Sequence, residues 1–269
     1  MKRTSIDETL PPLHIVSWSG GKDSTATIII ARKLGLPIDL IIISLVWFDK
    51  KRKIYGENPK KIKWIFEYAI PLFESWGYKV KVLTSERDYM YFFHRIKTKS
   101  KNPENNGKKC GFIFGGGCEM QQQKVIPIRK FYKSLNRKYI EYVGICIDEP
   151  ERIERMRARD NQRSLLAEQK ITQPQARALC FEEGLLCPTY KNKVRDGCWF
   201  CPNQSTSALA EIKTEYPEYW HELELLSLEE NTVTKGFKYG KTFQEVNEEI
   251  DRYLSRPIQL SIFDSIYSE

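Results

Sequence analysis

Val16-Ser17-Trp18-Ser19-Gly20-Gly21-Lys22-Asp23-Ser24 reads as a strand running into a glycine turn, with a helix opening directly behind it. Leu13 to Ser17 supplies the strand, Ser19 to Asp23 the turn, and Ser24 to Leu34 the helix, which stops at Gly35. Such a turn suits an anion. Glycines let the backbone approach a phosphate closely, successive N–H groups form a nest, and the helix N-terminus adds partial positive charge. Ser19, Ser24 and Thr25 add hydroxyl donors, and Lys22 adds a full charge. Neither the Walker pattern Gly-x4-Gly-Lys-[Ser/Thr] nor the dinucleotide pattern Gly-x-Gly-x-x-Gly is present. The bland alternative is a tight turn with a capped helix.

Outward from the loop, strands and helices alternate. Ile38 to Phe48 is β-branched and apolar, as in a strand buried on both faces of a parallel sheet. Pro59 to Trp76 is helical in pattern despite Pro71, Lys79 to Leu83 alternates as a strand, and Tyr89 to Ile96 reads as helix. Thr98 to Gly117, with Asn105-Asn106-Gly107 and Gly115-Gly116-Gly117, reads as a long loop. Glu119 to Leu135 predicts a helix, Tyr139 to Ile147 a strand, and Pro150 to Leu166 and Pro174 to Gly184 two further helices. The order predicts an α/β fold: a parallel twisted sheet with helices on both faces, plus a small Cys-containing knuckle and C-terminal helices. The expected division is a nucleotide-binding α/β domain over 1–184, a Cys-rich knuckle over 185–204, and a helical segment with a tail over 205–269.

The 269 residues are 41% hydrophobic and 29% charged, an ordinary globular balance. Met1 to Pro12 has no apolar signal core, and the longest apolar run, Leu40 to Phe48, is too short to span a bilayer, so the expectation is a cytoplasmic protein with no membrane partner. The formal charge of +8 is uneven. Arg87 to Lys138 holds 13 Lys/Arg against Asp88, Glu104 and Glu119, a balance of +10. Ser205 to Glu230 sets seven glutamates against Lys213, a balance of −6. The basic stretch fits either a polyanionic partner such as nucleic acid or a solvated face. Its aromatics (Tyr89, Tyr91, Phe92, Phe93, Phe112, Phe114, Phe131 and Tyr132) suit a core better than base stacking.

The loop closely resembles the PP-loop of the ATP pyrophosphatases, a family with a HUP-like fold that includes tRNA thiolation enzymes and phosphoadenosine phosphosulfate (PAPS) reductases. Other stretches resemble the PAPS-reductase-like (adenine nucleotide alpha hydrolase-like) branch. These are Phe48-Asp49 with Gly56-Glu57-Asn58-Pro59, Gly144-Ile145-Cys146-Ile147-Asp148-Glu149 with Arg152, and Pro188-Thr189-Tyr190 with Gly197-Cys198-Trp199-Phe200-Cys201-Pro202. The resemblance implies that ATP phosphates sit on Ser17, Ser19, Gly20, Gly21, Lys22, Asp23, Ser24 and Thr25, with Asp49, Gly144 and Arg152 as further contacts. It implies Lys22, Asp23, Asp148 and Glu149 as catalytic residues, and Mg²⁺ on the phosphates with Asp23 as its carboxylate. Cys146 stands where the branch often carries Arg, and the catalytic Glu-Cys-Gly-Ile/Leu-His motif of true PAPS reductases is missing.

Seven cysteines in a chain of this kind point to metal or redox chemistry. Cys198 and Cys201 form a C-x-x-C knuckle before Pro202, and Cys118 and Cys187 are the candidates to complete a set. Related thiolation enzymes imply a [4Fe-4S] cluster there, with Zn²⁺ or reduced thiols as alternatives. Cys146 and Cys180 read as core, and Cys110, flanked by Lys109, as a possible persulfide relay. Gln259-Leu260-Ser261-Ile262-Phe263 resembles a peptide that docks on the replication sliding clamp. The expected function is an ATP pyrophosphatase that adenylylates a substrate, releasing pyrophosphate, for sulfur insertion into nucleic acid. The partners expected are a nucleic acid or nucleotide substrate and a sulfur donor such as a cysteine desulfurase, with a homo-oligomer left open. A sulfonucleotide reductase and a non-catalytic nucleotide- or nucleic-acid-binding module with a zinc knuckle are the alternatives.

Overall fold

The structure, a computed structural model, describes residues 9–113, 118–190, 197–234 and 236–256. Strand β1 (Leu13–Trp18) leads into helix α1 (Lys22–Lys33), then β2 (Leu40–Leu45) and a short antiparallel hairpin of β3 (Trp47–Asp49) and β4 (Ile54–Tyr55). Next come α2 (Pro59–Trp64), a π turn (Ile65–Ala69), α3 (Ile70–Ser75), β5 (Val80–Thr84) and α4 (Tyr89–His94). They are followed by β6 (Lys109–Gly111), α5 (Glu119–Ser134), β7 (Tyr139–Tyr142), α6 (Pro150–Arg157), β8 (Gln162–Arg163), α7 (Leu165–Glu168) and α8 (Gln173–Glu182). The remainder is α9 (Thr206–Glu215), α10 (Pro217–Ser227), β9 (Thr232–Thr234) and α11 (Phe243–Leu254).

Two compact units share the chain. One is Met1–Tyr91 with Gly117–Cys198, the other Phe92–Gly116 with Trp199–Glu269. The division therefore falls inside the Cys198–Cys201 knuckle and gives part of the basic stretch to the second unit.

The first unit is the α/β fold. Its five strands run parallel in the order β5-β2-β1-β7-β8. Successive residues of a strand face opposite sides of the sheet, and β1 shows it at its end. Trp18 packs on Trp64 and Phe73 of α2 and α3, whereas Ser17 meets Tyr132 of α5. Helices thus cover both faces, which is why the central strands are apolar almost throughout: Ile15, Val16, Ile41, Ile42 and Ile43 are fully or almost fully buried.

Several boundaries differ from the sequence reading, each for a local reason. The expected strand 38–48 breaks at Val46. Its N–H turns to the buried carboxylate of Glu57 and its carbonyl accepts from Gly56 N. Helix 59–76 widens into the π turn just before Pro71, which has no N–H to offer the α-helical ladder. Strand 139–147 ends at Tyr142, and 150–166 is not one helix but α6, β8 and α7. The loop expected over 98–117 contains a 3-10 turn (Pro103–Asn105) and β6.

In the second unit, β6 pairs in parallel with β9. An aromatic cluster of Phe93, Phe112, Phe237, Trp220 and Phe243 forms its interior. Phe92, Phe93 and Phe112 are buried there, and Tyr89 is buried against Phe48 in the first unit, so these aromatics serve the core and not base stacking. Phe114 and the clamp-like segment 259–263 lie outside the described residues. Among the described residues, no helix is long and apolar enough to cross a membrane.

Candidate phosphate site at the strand switch point

Strand order reverses direction between β1 and β7, the place where open α/β sheets bind ligands beyond their strand ends. The glycine loop leaves β1 there, and the 143–149 turn leaves β7 beside it. The loop is held in shape by its own hydroxyls. Ser24 Oγ accepts from Ser19 N at 3.1 Å, lies 3.0 Å from Ser19 Oγ, and donates to the Gly21 carbonyl at 3.1 Å. Thr25 N donates to Gly21 O at 3.0 Å, the first turn of α1.

Glycine is required by contact as well as by conformation. Gly20 adopts φ of 69°, in the left-handed region. A Cβ on Gly144 would stand 2.6 Å from Ser24 N and 2.7 Å from the Asp23 carbonyl carbon, so only glycine lets the turn after β7 lie on the start of α1. The result is a backbone cradle at a helix N-terminus, with Asp23 in the first turn and partly exposed. Such a cradle suits an anion.

The side chains expected at the site divide into two groups. Lys22 and Asp23 belong to it: Lys22 Nζ lies 2.5 Å from Asp23 Oδ1 and 3.3 Å from Gln173 Oε1 of α8. Asp148 reaches the same corner indirectly, accepting from Gln173 N at 3.1 Å and so fixing the start of α8. Glu149 accepts from Cys146 N at 3.0 Å and pairs with Arg152, which holds the turn before α6. Both carboxylates, expected as catalytic, accept from backbone N–H groups, and Arg152, expected as a nucleotide contact, pairs with Glu149.

Three further side chains expected at the site have protein partners. Ser17 turns away from the loop: its hydroxyl donates to Glu141 of β7 and lies 3.3 Å from Tyr132. Thr25 is buried and accepts from Trp18 Nε1 at 2.9 Å. Asp49 accepts from Arg52 N and Nε at 3.0 and 2.7 Å. Burial alone would raise the Asp49 pKa, but the Arg52 hydrogen bonds and charge outweigh it and hold the carboxyl below its usual range.

Cys146, expected in mid-strand, sits in the turn after β7. Its thiol donates to Asp23 Oδ1 at 3.4 Å, and burial, then the Asp23 charge, pushes its pKa far up. Cys180 of α8 donates to the Lys22 carbonyl at 3.1 Å, and burial pushes that thiol up to about 12. Both are therefore protonated props under the loop, not nucleophiles. Cys110 is buried in the second unit, with Arg95 Nη2 3.6 Å from its sulfur.

The cysteines expected to hold a metal lie on several segments. Cys187 is 2% exposed with its sulfur 3.2 Å from Thr189 Oγ1. Cys118 opens α5, and Cys198 pairs through its backbone with Glu57. Cys201 belongs to the second unit. Among the described residues no three His, Cys, Asp or Glu side chains gather to hold a metal ion.

Known proteins offer little to set beside this geometry. No family model matches the chain, and no curated protein does. Among solved structures it is distantly similar to the U34-tRNA thiolase NcsA from Methanococcus maripaludis, determined with its [4Fe-4S] cluster. The identity is 12%, the match covers 93% of this chain and 74% of that one, and the TM-score is 0.38.

Two residues at the loop escaped the sequence reading. Lys61 of α2 places Cε 2.8 Å from where a Gly20 Cβ would be, and the Tyr190 hydroxyl lies 3.2 Å from where a Gly21 Cβ would be. Tyr190 stands inside a stretch already matched to the family pattern, so it was within reach. Lys61 carries no signal of its own beside Lys60 and Lys63.

Proposed function

We propose that this protein is an enzyme that binds ATP on the Ser19–Ser24 loop and transfers its adenylyl group to an acceptor oxygen. The acceptor oxygen attacks the α-phosphorus, the bond from that phosphorus to the bridging oxygen breaks, and pyrophosphate leaves. The observation that carries this reading is the glycine loop at the switch point and helix start, where a Cβ on Gly20 or Gly144 would overlap neighbouring atoms, so that only glycine lets the backbone take this path at the N-terminus of α1. Lys22 and the start of α1 supply positive charge to the phosphates. Asp23 is the carboxylate nearest the loop for Mg²⁺, which when bound neutralises phosphate charge.

The adenylylated oxygen becomes a leaving group that a sulfur nucleophile displaces with release of AMP. A nucleic-acid acceptor is favoured by the balance of +10 over Arg87 to Lys138. No step is assigned to an iron–sulfur cluster. A sulfonucleotide reductase is disfavoured because the catalytic Cys motif is missing and the cysteines nearest the loop are buried and protonated.

The test is Mg²⁺-dependent pyrophosphate release from ATP, with tRNA or DNA as acceptor. Asp23→Ala and Gly21→Val should each abolish it while the circular-dichroism spectrum stays native. Release that persists in both variants would refute the assignment of the loop.

A further inference from the structure

Arg87 and Lys130 come from distant parts of the basic stretch, yet both line one cleft of about 300 Å³ with Gln123, Ile126 and Pro127 of α5. All of its lining belongs to the first unit. The cleft opens where β5 ends, and Thr84, the last residue of that strand, borders it. β5 runs parallel to β2 and β2 to β1, so the carboxyl ends of these strands share one sheet edge with the glycine loop. The ends of β5 and β1 are two strand spacings apart, roughly 10 Å. Ligands of open α/β sheets gather along this edge.

The helix wall of the cleft carries the recognition chemistry. Gln123 is 6% exposed, and among the described residues its side-chain amide has no hydrogen-bond partner. Leaving such a group buried and unmatched costs roughly 1–3 kcal/mol, so its presence asks for a ligand. Pro127, one turn later, has no N–H to give the Gln123 carbonyl four residues before it, which frees a further acceptor from the helical ladder. The amide itself sets an NH₂ donor beside a carbonyl acceptor. Ile126 and Pro127 add an apolar wall. Arg87 has no carboxylate partner among the described residues, and its guanidinium lies 4.8 Å from the centre of the Tyr91 ring. Lys130 Nζ lies 3.3 Å from Glu86 Oε1, but both side chains are largely exposed, so water screens the pair. Two cations against one carboxylate leave the rim positive.

We infer that this cleft holds one unpaired nucleobase of a nucleic-acid acceptor, with Gln123 hydrogen-bonding the base edge and Arg87 and Lys130 meeting the flanking phosphates. Base edges set donors beside acceptors, the pattern that a side-chain amide reads. The volume is at the low end for ligand pockets, roughly 300–1,000 Å³, and suits one ring system. The inference rests on the nucleic-acid acceptor proposed above and names the part of it that α5 reads.

Fluorescence anisotropy on the full chain tests it, with short single-stranded DNA and RNA oligonucleotides of equal length: one homopolymer of each base and one abasic strand. The wild type should prefer one base over the abasic strand by about tenfold. Gln123→Met should lose about tenfold on that base, the usual worth of one bidentate contact, and stay within about twofold on the abasic strand. Gln123→Glu keeps the shape but turns the donor into an acceptor; it should also erase the preference, and it decides the matter if the Met variant fails to fold. Arg87→Gln should instead weaken every strand alike and lower the salt slope by about one. A base preference that survives in both Gln123 variants, or equal wild-type affinity for abasic and base-bearing strands, would overturn the inference and leave the nucleic-acid acceptor standing. A wild-type chain that binds none of the strands would overturn the two together.

Discussion

Replacing Gly144 with alanine probes the switch point most sharply. The new Cβ would meet three backbone atoms of α1: Ser24 N at 2.6 Å, the Asp23 carbonyl carbon at 2.7 Å and Ser24 Cα at 2.8 Å. Each separation is about 1 Å short of an ordinary contact. No side chain can swing aside, so either the turn after β7 or the start of α1 must retreat. Overpacking of this kind costs roughly 1–3 kcal/mol, which for a domain of this size lowers the melting temperature by roughly 2–10 °C. On the proposed function the loss of activity should be larger in proportion, because a misplacement of about 1 Å can cost about 100-fold in rate. Gly35→Ala is the control. Gly35 has φ of 64° with nothing within 4 Å of its Cβ position. That variant should lose about 1–2 kcal/mol through backbone strain and keep its turnover. Differential scanning calorimetry and pyrophosphate release, run on both variants, give the comparison. A Gly144→Ala protein that melts and turns over like the wild type would refute the claim that this contact sets the loop.

Other consequences follow from the same contacts. Ser17→Ala removes a donor to Glu141, which keeps Gln162 Nε2 at 2.6 Å and the Tyr132 hydroxyl; urea denaturation should show a loss of roughly 1–3 kcal/mol with no change in the KM for ATP. The Lys109 hydrogen bond, then that of His94, holds the Glu229 pKa below its ordinary 4.5. Its contribution is therefore complete above pH 4.5 and is lost as pH falls through the lower folded value. Glu229→Gln should flatten the acid side of the stability curve of the full chain, and an unchanged acid limb would contradict that pairing.

The glycine loop was legible because its requirements are local. A strand, two glycines and a hydroxyl-rich helix start stand within nine residues, and the structure assembles them as expected. The parallel sheet was legible for a related reason: Leu40 to Leu45 is apolar on both faces, which only a covered strand tolerates. What escaped depends on long-range contact. Nothing local says that Ser17 turns to Glu141, 124 residues away, or that Cys146 lies under Asp23 across 123 residues. The β7–α6 turn was readable as a capped helix start or as a ligand contact; Asp148 accepts from Gln173 N of α8 and Glu149 from Cys146 N, and neither side chain caps α6. Lys61 was hidden for the same cause, since its place against Gly20 is a product of α2 packing and not of spacing.

The most direct measurement is the identity of the products from ATP labelled separately at its α- and γ-phosphates, incubated with the full chain, Mg²⁺ and nucleic acid. Cleavage between α and β predicts AMP or an adenylylated acceptor from the α label and pyrophosphate from the γ label, both lost in Asp23→Ala. Formation of ADP and orthophosphate would place the cut at the wrong bond and contradict the account.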